Sequence, residues 1–135
     1  ITGHSMGGHG ALTLAMGLPG RYRSVSAFAP IAHPSAAEWG RKQLRAYLGE
    51  DETAWRPHDA VLTMRDRGLE LPLLVDQGTL DPFIDTLRPE TLAEAMAARR
   101  VDGALRLQKG YDHSYFFVAS FMEEHLRFHA EALYA

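Results

Sequence analysis

Gly3-His4-Ser5-Met6-Gly7-Gly8, near the start of the chain, fits the G-x-S-x-G pattern of a nucleophile elbow, a tight strand-to-helix turn that exposes a reactive serine. The serine of such a turn sits in a strained backbone conformation, and glycines at positions 3 and 7 let strand and helix pass close together without Cβ clashes. The pentapeptide alone recurs by chance in about one chain in twenty of this size, so its flanks decide. Ile1 and Thr2 read as the tail of a strand. Residues 6–16 read as a helix with Ala11, Leu12, Leu14 and Ala15 as apolar positions, stopped by Gly17 and Pro19. Ser5 is therefore the candidate nucleophile, its competing role being an ordinary helix N-cap. The body of the strand is expected to lie before residue 1, so the chain reads as opening inside a structural element.

Working outward, short apolar runs bounded by turn residues at 24–28, 71–75 and 105–107 read as buried parallel strands. Helical patterns lie between and after them: 36–48 ending at Gly49, 58–67 ending at Gly68, 89–100, and an amphipathic stretch at 115–133. Alternating strands and helices imply an α/β sheet with right-handed crossovers. In such sheets functional loops sit at the carboxyl ends of the strands. The loop expected after Val75 reads Asp76-Gln77-Gly78-Thr79-Leu80-Asp81-Pro82-Phe83, and the one after Leu107 reads Gln108-Lys109-Gly110-Tyr111-Asp112-His113-Ser114. A serine, an acid and a histidine thus each follow a strand, in the order of the α/β-hydrolases and not of chymotrypsin or subtilisin.

Several acids compete for the third role. Asp112 adjoins His113, and neighbouring side chains diverge, so it reads as a loop-bonding aspartate. Asp76 ends its strand and is a candidate for bonding loop amides; Asp85 lies further on, and Asp81 is the preferred acid. His113 has the competing role of a satisfied loop histidine. His125 and His129, four apart on a helix, lack the H-E-x-x-H glutamate and a third ligand, and read as surface or capping residues. Phe116, Phe117, Phe121 and Met122 read as one buried helix face. Trp39 follows the second strand, where pocket walls arise, with simple packing as its alternative. Arg41, Lys42 and Arg45 read as a solvated helix face.

At 135 residues, 46% hydrophobic, 23% charged and with a formal net charge of -3, the composition is that of a globular domain with no membrane span and no signal for nucleic acid. Cysteine is absent, which excludes disulfides, Cys-ligated metals and a cysteine nucleophile and fits a reducing compartment. No metal and no cofactor are expected. One core suits this length, and residues 1–135 read as a single domain or part of one.

The stretches SMGGHGAL (residues 5–12), DQGTLDPF (76–83) and GYDHSYFF (110–117), with Trp39-Gly40, Tyr47-Leu48-Gly49, His125 and His129-Ala130, resemble the S-formylglutathione hydrolase, or esterase D, family. The resemblance implies the carboxyl-terminal half of an α/β-hydrolase fold, a mostly parallel sheet with flanking helices whose amino-terminal strands lie outside this chain. It implies a cytoplasmic serine esterase that cleaves S-formylglutathione to formate and glutathione in formaldehyde detoxification, without a cofactor, in a family where homo-oligomers are common. Carried over by motif, Ser5 is the nucleophile, Asp81, standing before x-Phe, the acid, and His113 the base. The Met6 amide is one oxyanion donor, and a second is expected from a loop after an early strand that this chain does not contain. Trp39 is the candidate substrate-pocket wall.

Two further functions compete: a broad short-chain carboxylesterase, since fold and triad set the reaction while the pocket sets acyl and leaving groups, and an inactive hydrolase fragment acting as an oligomeric or partner-dependent module, which an exposed sheet edge would favour.

Overall fold

The sheet is built from strands whose residues alternate between two covered faces. The computed structural model describes all of residues 1–135. In β2 (Val25–Phe28) and β3 (Leu73–Gly78) every residue is buried. Val25, Ala27, Leu73 and Val75 point into a core shared with α1 (Met6–Gly17), α3 (Ala60–Arg67) and α5 (Pro89–Ala98), through Leu12, Val61, Met64, Leu92 and Met96. Ser26, Phe28 and Asp76 face the other way, toward α6 (Tyr115–Leu133), where Phe28 packs with Phe117 and Leu87. The period-2 alternation of a strand, covered on both sides by helices, explains why β2 and β3 carry polar residues without being exposed.

The four strands are all parallel in the order β1-β2-β3-β4, with β1 at Thr2–His4 and β4 at Gly103–Gln108. Paired positions such as Thr2 with Ser26, His4 with Phe28, and Phe28 with Asp76 share a face. The remaining helices are α2 (Glu38–Leu48) and a one-turn α4 (Ile84–Leu87).

The expected α/β architecture holds, and its differences from expectation have local causes. β3 runs on through Asp76, Gln77 and Gly78, residues that read as loop, because their polar side chains find partners from distant segments. β4 is an edge strand and half exposed, with Leu107 at 62%, where a buried strand was expected. α2 begins at Glu38 and not at residue 36, because Pro34–Ala36 form a separate 3-10 turn. α3 begins at Ala60, where the Asp59 side chain accepts from the Leu62 N–H. On α6 only Phe117 is fully buried of the four expected residues, and Phe116 is exposed.

At the first turn, a Cβ on Gly3 would run into the carbonyl of Gly7, whereas one on Gly7 would meet nothing. The close approach therefore constrains position 3 sterically and leaves position 7 open.

Candidate active site

Ser5 links β1 to α1 with φ 60° and ψ −114°, a conformation that costs a non-glycine residue about 1–3 kcal/mol. The strain is held by its neighbours. The Ser5 N–H donates to the Phe28 carbonyl at 2.9 Å, and its own carbonyl accepts from His9 and Ile31 at 3.1 and 3.2 Å. The side chain makes no capping bond to α1, which sets the N-cap role aside. Its Oγ lies 2.9 Å from His113 Nε2. Met6, the first helical residue, has an N–H with no intrahelical acceptor, at the positive end of the helix dipole beside Ser5.

His113 comes from the loop between β4 and α6, and its Nδ1 lies 2.6 Å from Asp81 Oδ2. Asp81, in the loop after β3, is buried and further fixed by the Gln77 side-chain amide at 3.0 Å and the Phe83 N–H at 2.8 Å. With Nδ1–H donating to the carboxylate, Nε2 is left to accept from the Ser5 hydroxyl. Of the competing acids, only Asp81 bonds His113; Asp112 accepts from the Ser114 N–H at 2.9 Å, as a loop aspartate does. Gln77, which orients Asp81, carried no signal in the sequence because it read as loop.

Ser5 and His113 open into a cavity of about 340 Å³ walled by Ile31, Trp39, Phe83, Thr86 and Leu87. Trp39 and Ile31 also border a neighbouring cavity of about 370 Å³ that reaches Met6, His9, Tyr47 and His58. Arg41 is engaged within the chain by Glu52 at 2.6 Å and lies over the Trp55 ring at 5.1 Å, and Arg45 bonds Glu50. His4, immediately before Ser5, packs its ring 4.7 Å from that of His113. Burial pushes its pKa down, and the nearby His113 charge adds to this, against a smaller opposing effect of Asp81.

A second Ser–His–Asp array lies under α6. His125 Nδ1 is 2.8 Å from Ser26 Oγ and its Nε2 is 2.8 Å from Asp76 Oδ2. His129 bridges Ser26 and Ser24 at 2.9 and 2.6 Å, and Thr2 Oγ1 lies 2.7 Å from Ser26 Oγ. Burial disfavours the charge on Asp76, yet bonds from His125, Arg106 and Gln108 outweigh it and bring the carboxyl to about 2. Burial, above all, brings His129 down to about 4. His125 is fully buried and His129 half-buried, so the expectation of surface or capping histidines is corrected: an i, i+4 pair lies on one helix face, and here that face meets the polar side of β2 and β3. No three His, Asp or Glu side chains are grouped to hold a metal ion, and no helix is long and apolar enough to cross a membrane.

Residues 1–128 match the Esterase family, described as "Putative esterase". The chain is 65% identical over 133 residues to the S-formylglutathione hydrolase of Paracoccus denitrificans (strain Pd 1222), covering 98% of the chain and 48% of that protein. The solved structure of an S-formylglutathione hydrolase from Agrobacterium tumefaciens superimposes with a TM-score of 0.93 at 47% identity, over 98% of this chain and 48% of that one. Esterase B from Lactobacillus rhamnosis shares the fold, with a TM-score of 0.78 at 19% identity over 97% of this chain and 51% of that one. The chain thus spans about half the length of the relatives it matches.

Proposed function

The chain belongs to the esterase family and has the α/β-hydrolase fold, and on that premise we propose that it is the carboxyl-terminal part of a serine hydrolase that cleaves S-formylglutathione to formate and glutathione. The observation that carries this reading is the continuous hydrogen-bond line from the strained Ser5 through His113 to Asp81. An identity of 65% over 133 residues to a protein named S-formylglutathione hydrolase supports the substrate.

In this mechanism His113 Nε2 takes the Ser5 proton as Oγ bonds the formyl carbon, and Asp81 holds the ring in the right tautomer and stabilises its cation. The oxyanion accepts from the Met6 N–H, and in this fold the second donor is an N–H from a loop after an early strand. Collapse expels the glutathione sulfur. A thiol of pKa about 8.5 leaves as thiolate without obligatory protonation, so oxyanion stabilisation weighs more than acid catalysis. Water then attacks the formyl-serine, gives its proton to His113, and releases formate while the proton on His113 returns to Ser5. Trp39 forms a wall of the acyl or thiol site. A chain without cysteine suits a cytoplasmic enzyme handling a thiol product.

The test is intact mass before and after a fluorophosphonate probe, together with S-formylglutathione turnover by the full-length protein. One adduct, absent in Ser5→Ala, and turnover lost in that variant are expected. An adduct on another residue, or turnover unchanged in Ser5→Ala, overturns the assignment. The apolar walls and the volume of about 340 Å³, generous for a formyl group, favour a short-chain carboxylesterase as the second reading. A higher kcat/KM for butyrate esters than for S-formylglutathione would select it.

A further inference from the structure

His4 is the titratable residue closest to the reaction that the mechanism leaves idle. It ends β1, paired with Phe28 across the sheet, and directly precedes Ser5. Its ring meets that of His113 at 4.7 Å with a 40° tilt, while Tyr115 stands 6.0 Å away. Its Nε2 is buried and bonds nothing. A histidine kept only for hydrogen bonding would not leave that atom orphaned, because an unpaired buried polar atom costs about 1–3 kcal/mol. The contact that His4 does make is the packing of its ring against the catalytic imidazole. His113 has a second aromatic neighbour, Phe83, 5.2 Å away and near-perpendicular at 76°.

We propose that His4 is a positioning residue for the hydrolysis, its neutral ring packing against His113 so that Nε2 stays aimed at Ser5 and the imidazolium formed in the transition state rests against a π-system. The proposal rests on His113 being the base of the preceding section. Two physical effects act together. Packing removes ring orientations of His113 in which Nε2 misses the serine, which matters because small misplacements of a reacting group are costly in rate. A cation beside an uncharged aromatic ring is stabilised by the ring quadrupole, so the imidazolium formed during the reaction gains from the ring packed against it. That second effect requires His4 to be uncharged, and burial together with the His113 charge holds its pKa below the ordinary histidine value. The titratable groups that face His4 are His113, Asp81 and Tyr115; Asp81, and more weakly the His113 backbone, favour a charge on it, but the Asp81 carboxylate is engaged by His113, Gln77 and Phe83.

The discriminating measurement is an NMR pH titration of the His113 ring, assigned with a His113→Gln spectrum, in the full-length wild type, His4→Ala and His4→Phe. It needs no turnover. The cation–π contribution corresponds to a drop of about half a pH unit in the His113 midpoint in His4→Ala, and His4→Phe, which keeps a neutral ring, restores it. In parallel, kcat for S-formylglutathione falls about tenfold in His4→Ala with KM little changed, and recovers in His4→Phe. The His113 midpoint remaining the same in all three proteins overturns the proposal, as does a His4→Phe variant that folds like wild type and behaves like His4→Ala. A His113 midpoint that drops in His4→Ala and is restored in His4→Phe, with a wild type that turns over no thioester, leaves the packing role standing and removes the hydrolase instead. Should His4→Ala not fold, His4→Phe against His4→Gln carries the same comparison, with a lowered midpoint expected only in the glutamine variant.

Discussion

Two Ser–His–Asp arrays have similar spacings but opposite use of the ring nitrogens, Nε2 meeting the serine in one and Nδ1 in the other, and only one opens to a cavity. Ser5, His113 and Asp81 are joined at 2.9 and 2.6 Å; Ser26, His125 and Asp76 at 2.8 and 2.8 Å. The first faces a cavity and has an unassigned helix N–H beside its serine. In the second, Ser26 and Asp76 are wholly buried in strands, and His125 lies flat on Phe28 with ring centroids 3.8 Å apart. The Ser26 hydroxyl is shared among His125, His129 and Thr2. No acyl carbon can reach it, and no lone pair is left for attack. Distances between the three side chains therefore do not make a hydrolase. Access, a free nucleophile and an oxyanion donor do. The buried array instead ties α6 to β2 and β3, and α6 begins two residues after His113, so it anchors the segment that presents His113 to Ser5.

The sharpest way to break this comparison is to remove each serine. Ser5→Ala is expected to lower kcat about a million-fold with the fold unchanged. Ser26→Ala is expected to leave kcat within a few-fold while destabilising by about 1–3 kcal/mol, since His125 and His129 lose a buried partner; urea melts and steady-state kinetics read the two effects separately. Equal losses of activity in both variants would erase the distinction.

Next in size are the acids. Asp81→Asn is expected to cost about ten-thousand-fold in kcat, because the amide favours the wrong tautomer of the imidazole. Asp76→Asn is expected to cost about 3–5 kcal/mol of stability, as His125 and Arg106 lose a buried carboxylate. The assignments would be reversed if Asp76→Asn silenced a well-folded enzyme.

The smallest effect is the pH dependence of stability. His129 binds its proton about two and a half units less readily when folded, near 4, than in the unfolded chain, near 6.5. The unfolded state takes up more protons between those values, so stability is expected to fall as pH drops from 6.5 toward 4 and to level off below it. The Asp76 carboxyl is depressed to about 2; its contribution is present above 3.8 and is lost as pH falls through 2. Denaturant midpoints at half-unit pH steps check both windows, and His129→Gln should flatten the upper one only.

Much of the candidate site was legible because it is written in local chemistry. The turn at Ser5 depends on Gly3 meeting the Gly7 backbone four residues away, and the order of serine, acid and histidine follows from strand ends that apolar runs and turn residues mark. The inert array was not legible. Asp76 and Gln77 read as loop because an acid and an amide at the end of an apolar run signal a turn, and nothing nearby shows that Arg106 and Gln108 will stand beside Asp76. His125 and His129 read as surface for the same reason: Asp76 is 49 residues from His125, and Ser24 is 105 residues from His129.

The sequence by itself determined the elbow, the alternation of strands and helices, and which serine, acid and histidine stand at strand ends, since these rest on steric and periodic constraints that act within a few residues. Only the tertiary structure decided which acid reaches which histidine, that Trp39 and Ile31 stand between two cavities, and that His4 lies against His113. Those outcomes depend on the parallel register and on how α6 docks, and the partners of a buried polar group are chosen by whichever distant segment the fold brings within hydrogen-bond range.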